Sequence, residues 1–127
     1  MVLKMGFLKV QVNIKELREA VRGLKRSRFK ALEVVTKELK LSASIMLNQL
    51  LNAEMTMFLG QPDQQNNRRN GYETRNYVLK GVGALQIEMP VDRRRKFESR
   101  LIPKGERIDP RVKEDIAALH LAGLSSR

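Results

Sequence analysis

The sequence predicts a mainly helical α+β fold: basic helices at the N-terminus, a β-hairpin over about 73–90, and a closing helix over about 109–122. Three observations carry this expectation. Apolar residues recur at spacings of three and four through most of the first sixty positions. The period then changes to two, where Leu85, Ile87 and Met89 alternate with Gln86 and Glu88. Asp109-Pro110 opens a last helical pattern, because Pro is well placed at a first helical position, and Gly123 closes it.

The elements follow in order. Ile14, Leu17, Val21 and Leu24 share one helix face, and Asn13 before them can cap the N-terminus. Phe29, Leu32, Val35 and Leu39 continue a similar period to about Lys40. A further helix is expected to start at Ser42 as its N-cap. It carries the stripe Leu47, Leu50, Leu51, Met55 and Phe58, with Glu54 on the same side. That stripe is read as core or as a helix–helix interface. Gly60 and Pro62 stop this helix, and the polar stretch from Pro62 to Asn67 reads as a linker. Residues 74–82 favour strand, and Gly81 and Gly83 permit a tight reversal into a second strand ending at Pro90. Val112, Ile116, Leu119 and Leu121 then supply one apolar face. The expected organisation is a helical basic region over 1–60, a linker over 61–72, and a hairpin-plus-helix region over 73–127.

A chain of 127 residues suffices for one domain or two very small ones. Twenty-five Lys and Arg stand against 14 Asp and Glu, a net charge of +11, which favours a polyanionic partner. The charge is uneven: +7 over residues 1–40, −2 over 41–66 and +6 over 67–127. The neutral block is therefore the expected packing element. With no Cys there is no disulfide framework and no thiol nucleophile, and a single His makes no His-pair metal site. No apolar run reaches the roughly 18–20 residues that a membrane-spanning helix needs. Residues 1–10 make a poor signal peptide, so a cytoplasmic, nucleoid-associated protein is expected, with no membrane partner.

Arg69-Asn70-Gly71-Tyr72, the run from Gly83 to Pro90, Asp92-Arg93, Phe97-Glu98 and Leu101-Ile102-Pro103-Lys104 follow one another in a distinctive order. With Ala53-Glu54-Met55-Thr56 and Leu59-Gly60 before them and Gly123-Leu124-Ser125-Ser126-Arg127 after, they resemble the Mutator-type transposases of bacterial and archaeal insertion sequences. The resemblance covers about residues 50–127. Two positions depart from it: Val91 stands where that family usually has Arg, and Arg95 where it usually has Gly, two residues before the Phe. The resemblance implies an acidic-triad recombinase, whose three carboxylates hold two divalent metals on an RNase H-like domain. That domain lies C-terminal to these motifs. The chain is thus expected to be an N-terminal portion, from a shortened reading frame or an excised segment, inactive alone and without a cofactor of its own.

Candidate contacts follow from charge. Arg93, Arg94, Arg95 and Lys96, with Arg100 and Lys104, offer nothing to a core and suit successive phosphates of double-stranded DNA. Arg68 and Arg69 are further candidates, although Asn70-Gly71 beside them suits a turn. Arg127 joins them as the start of a further segment that the resemblance implies. The basic stretch from Lys15 to Lys30 is either a groove-binding helix or a solvated face. Tyr72 and Tyr77 are expected to pack rather than to stack on bases, and His120 lacks a neighbouring nucleophile or orienting carboxylate. Asp92 is expected to be ionised and paired with the arginines around it, and Asp109 to serve as a cap. The expected function is the DNA-binding portion of a transposase, acting at terminal inverted repeats. The alternatives are a helical dimerisation or regulatory fragment, with homo-oligomer contacts through 41–60, and a small RNA-binding protein.

Overall fold

The computed structural model describes residues 2–5, 8–11, 13–24 and 28–123. Strands β1 (Val2–Met5) and β2 (Leu8–Gln11) are followed by helices α1 (Ile14–Arg22) and α2 (Arg28–Leu59). Strands β3 (Arg69–Leu79) and β4 (Gly83–Asp92) and helix α3 (Pro110–Leu121) complete the chain. The fold is α+β, with helices, then the hairpin, then the C-terminal helix, as expected from the change of period. Two compact units, Met1–Ala43 and Ser44–Arg127, divide within α2.

In the first unit, β1 and β2 pair antiparallel, with Leu3 opposite Val10 and Lys4 opposite Lys9. Nothing in the sequence analysis anticipated this pair. Four-residue strands are too short for a two-residue period to stand out from chance. The Asn13 side chain accepts from the Glu16 amide at 3.1 Å and caps α1 as expected. The buried residue of α1 is Ala20, whereas Val21 and Leu24 of the expected apolar face are exposed. Lys37 of α2 reaches Glu16 of α1 at 3.1 Å.

Helix α2 is one element of 32 residues, which corrects the expectation of two helices with Ser42 as a cap. Leu41, Ser42, Ala43 and Ser44 contain neither Gly nor Pro, and serine is tolerated inside a helix at small cost. The stop is as read: the Gly60 amide still bonds the Thr56 carbonyl, and Pro62 then begins a single 3₁₀ turn.

The second unit builds its core from one helix, the two strands of the hairpin and the loop after them. Leu51 and Met55 of α2 have no exposed surface, and Tyr77, Leu85, Ile87, Met89 and Ile102 are buried. Leu50, expected in the same stripe, is exposed. The hairpin register sets Tyr77 opposite Leu85 and Arg75 opposite Ile87, with Lys80-Gly81-Val82 as its loop. Gly81 and Gly83 adopt φ of +82° and +103°, a region that side chains with a Cβ avoid. β4 runs past Pro90 to Asp92, two residues beyond its expected end. Proline survives there because the register shifts between Arg69 and Tyr72, next to its pairing position.

Both outer edges of the hairpin are occupied. On β4, the Glu88 amide donates to the Asn48 side chain of α2 at 2.8 Å. On β3, the Val78 amide donates to the Arg107 carbonyl at 2.9 Å, and the Asp109 amide to the Val78 carbonyl at 2.8 Å. These bonds tie the hairpin to α2 on one edge and to the segment before α3 on the other. Asp109 also caps α3 through the Arg111 amide and accepts from the Lys80 amide at the hairpin loop. The expected apolar face of α3 is not packed: Ile116, Leu119 and Leu121 are exposed, and only Val112 is half-buried. Among the described residues, no helix is long and apolar enough to cross a membrane.

Ile87 is 1% exposed while its neighbour Gln86 is exposed. Ile87→Asp is therefore expected to cost about 4 kcal/mol or more, through a lost aliphatic group and a buried unpaired charge. Gln86→Asp is expected to cost under about 0.5 kcal/mol. Urea unfolding of both variants checks the register, and equal effects would contradict it.

Candidate nucleic-acid interface

The basic segment after β4 is shaped by groups beneath it. Asp92, 1% exposed, ends β4. Its Oδ2 accepts from the Lys96 amide at 2.9 Å and from the Asn67 side chain at 2.7 Å, and its Oδ1 from the Phe97 amide at 3.1 Å. The partners are thus backbone amides and an asparagine, not the arginine side chains expected from the sequence. Burial alone raises a carboxyl pKa, but here these donors outweigh it and hold Asp92 below the ordinary range.

Asn67 closes the other side. Its Oδ1 accepts from the amides of Arg68 at 2.9 Å and Arg94 at 3.3 Å, and its Nδ2 also donates to Gln64. The Arg93 amide bonds the Arg68 carbonyl at 2.8 Å. Arg68, Arg93 and Arg94 therefore leave the backbone around one asparagine. The stretch read as a linker supplies this anchor.

A second carboxylate holds the far end. Glu54 of α2 accepts from the Ser99 hydroxyl and from the Arg100 amide at 2.8 Å. Ser99 in turn accepts from the Ile102 amide at 3.1 Å. Phe97 packs on Phe58 with ring centroids 5.4 Å apart. Two acids face inward onto amides, and the cations of the loop project outward.

The candidate residues divide by what their side chains do. Arg93, Arg94, Lys96, Arg100 and Lys104 are exposed, and so is Arg68. None of these six side chains has a hydrogen bond or ion pair with another described residue. Arg95 is committed to Glu73 at 2.7 Å. Arg69 reaches back to α2, donating to the Asn52 side chain at 3.1 Å, the Asn52 carbonyl and the Thr56 hydroxyl. Tyr72 donates to the same Asn52 oxygen at 3.1 Å, and Tyr77 is buried with its hydroxyl on Glu106. Burial, reinforced by Glu106, pushes the Tyr77 pKa up to about 12. Arg127 lies outside the described residues.

Sequence reasoning missed Asn48, Asn52, Glu54 and Asn67 as organisers. The signal was present for three of them: polar residues at spacings of four and two within the stretch 41–59 of α2, which has no Lys or Arg.

Arg95 has φ of +54°, the one positive value at a non-glycine among the described residues. It occupies the position where the resemblance leads one to expect Gly. The left-handed turn is kept although the residue has changed, with the Arg95 amide on the Asp92 carbonyl at 3.2 Å.

Among the described residues, no three His, Cys, Asp or Glu side chains lie close enough to hold a metal ion together. Asp115 pairs with Lys80 at 2.9 Å, and Asp109 is held by the Arg111 guanidinium. That guanidinium, with two backbone amides, drives the Asp109 pKa far below the carboxylate range.

Both Asp92 and Asp109 are depressed in the folded state, so on acidification the unfolded chain takes up protons first. Stability should hold from neutral pH to about pH 5, then fall steadily below about pH 4. Urea midpoints across this range check it, and Asp92→Asn should be less stable at neutral pH with a shallower acid loss. At position 95, Arg95→Gly relieves the left-handed strain and should change stability by less than about 1 kcal/mol. Arg95→Val, β-branched in the same conformation, should cost about 1–2 kcal/mol.

A family model described as Transposase, Mutator family, matches the chain over residues 15–127. No curated protein matches it. The matched span takes in all three helices apart from Ile14, the β3–β4 hairpin and the pinned basic loop. Most of the chain lies within that span, and the chain belongs to the Mutator family of transposases.

Proposed function

We propose that this chain binds double-stranded DNA through the loop over residues 93–104, with Arg68 beside it. In the transposition carried out by its family, it would grip the terminal inverted repeats. One observation supports this above the others: of six cations without a partner among the described residues, four (Arg68, Arg94, Lys96 and Arg100) have their backbone amides held by Asp92, Asn67 or Glu54. A pre-shaped loop loses little conformational freedom when phosphates dock on it, so more of the electrostatic gain is kept as affinity. The net charge of +11 draws the polyanion to it.

The geometry ranks the candidates. Arg93, Arg94, Lys96, Arg100, Lys104 and Arg68 are the phosphate contacts. Arg69 and Arg95 position the hairpin and the loop through Asn52 and Glu73. Arg127 and the basic stretch from Lys15 to Lys30 are secondary contacts in this reading. Cutting and joining are assigned to the acidic triad of the family. Nucleoid association follows from DNA binding, and self-association through residues 41–60 belongs to the same reading.

Each phosphate contact contributes about 0.9 to the slope of log affinity against log salt. Replacing Arg93 and Arg94 together by Ala should therefore weaken binding to every duplex and flatten that slope by roughly 1.8. Arg95→Ala should flatten it by less than half a unit, roughly, because its guanidinium is engaged by Glu73. Filter binding at several salt concentrations measures this, with an RNA duplex of equal length as competitor. An unchanged slope in the double variant would overturn the assignment of the loop, and preference for the RNA would overturn that of DNA.

A further inference from the structure

The basic loop carries an apolar tip. Among its exposed residues from Arg93 to Lys104, only Leu101 and Pro103 are apolar, and every other one is charged. Leu101 is 41% exposed, whereas Ile102 beside it is 2% exposed and anchors the tip in the core of the second unit. The backbone is tied on both sides. Before the tip, the Arg100 amide donates to Glu54 at 2.8 Å, and the Ile102 amide to the Ser99 hydroxyl at 3.1 Å. After it, the Glu106 amide donates to the Pro103 carbonyl at 3.1 Å, in a turn that holds Gly105 at φ of +83°. The ring of Pro103 fixes its own φ as well. Arg100 and Lys104 flank the tip, both exposed and without a partner among the described residues. A solitary exposed leucine is ordinary on a protein surface. This one is held outward on a fixed backbone, between two free cations.

We propose that Leu101, backed by Pro103, is a wedge that enters a base step of duplex DNA from the minor groove and kinks it. This assignment rests on the reading of the loop as the DNA contact, and adds to its phosphate contacts a residue that reads DNA shape. Leucine and proline are among the side chains that partly unstack a base step in this way. The aliphatic group replaces a stacked base face, and the phosphates that border the groove meet the flanking Arg100 and Lys104. A wedge must not yield as it enters, and the anchors at Ile102 and Glu54 supply that stiffness. Pyrimidine–purine steps open at the least cost, so the tip favours deformable sites without any hydrogen bond to a base edge. An anionic lipid surface also attracts an apolar tip between cations. One leucine buries too little to hold the chain there, since even a whole acyl chain gives only marginal attachment.

The test is binding of the full 127-residue chain to two short DNA duplexes, one fully paired and one with a central T·T mismatch beside 2-aminopurine. A mismatched step costs less to unstack. The wild type should bind the mismatched duplex about 10-fold more tightly and raise the 2-aminopurine fluorescence. Leu101→Ala should cut that preference to less than about 2-fold and abolish the rise, with the salt slope unchanged because no charge is removed. Leu101→Phe, still a large apolar group, should keep both. Arg100→Ala should do the reverse of Leu101→Ala, flattening the slope by about 0.9 and keeping the preference. Failure to bind either duplex would overturn the DNA reading and the wedge with it. Salt-dependent binding without the preference, or a preference indifferent to Leu101→Ala, would overturn the wedge and leave the phosphate contacts standing. Binding to phosphatidylserine vesicles that Leu101→Ala abolishes, with the DNA preference untouched, would assign the tip to a lipid surface instead.

Discussion

Asp92 is buried at the end of β4, and its two oxygens take three donors from two different parts of the chain. A carboxylate out of water costs several kcal/mol unless donors replace the lost hydration. Any movement of residues 93–97 that broke those bonds would leave it uncompensated. The same atoms hold Asn67, and Asn67 holds the amides of Arg68 and Arg94. One buried charge thereby fixes the end of the hairpin, the turn before it and the start of the basic loop. Four consecutive cations would otherwise repel one another and favour an open, variable segment. With Asp92 and Glu54 beneath, the acids meet backbone amides and the cations are left facing water.

Arg95 shows how firmly that backbone is set. The left-handed turn at this position suits glycine, and an arginine adopts it here at some cost in strain. The side chain returns part of that cost by pairing with Glu73, a contact glycine could not make. The Arg95 amide on the Asp92 carbonyl shows the turn to be a demand of the loop closure, met by whichever residue stands there. The other departure from the family pattern, Val91, lies half-buried in β4 at the register shift, between the pairs Tyr72–Pro90 and Arg69–Asp92.

Helix α2 answers two demands with one run of residues. In its neutral half Asn48 accepts from the Glu88 amide of the hairpin, Asn52 from the Arg69 fork, and Glu54 from the Arg100 amide of the loop beyond β4. The same half also carries Met46, Leu50 and Met57, which are exposed. A helix with two apolar sides loses the clear amphipathic contrast from which a buried face is ordinarily read. That is why Leu50 and Leu51, adjacent in sequence, part company, one exposed and one with no exposed surface.

The local features were legible in the sequence because local geometry decides them. The cap at Asn13, the stop at Gly60-Pro62, the reversal at Gly81 and Gly83 and the inward set Leu85, Ile87 and Met89 each follow from spacing or from one residue's conformational range. The alternation of a strand leaves only two choices of face, and the apolar set names one. The continuity of α2 through Ser42 was not legible, since serine serves equally as a cap and as an interior residue. Asp92 among arginines was expected to pair with them by proximity along the chain. Tertiary structure gave it Asn67, 25 residues away, and backbone amides that no composition reveals. Glu54 and Arg100 meet across 46 residues for the same reason. The sequence by itself determined which residues are charged, which are apolar and where the chain turns. Only the folded chain decided which charges are spent inside and which remain free, because a buried carboxylate accepts whatever donors the packing brings within reach.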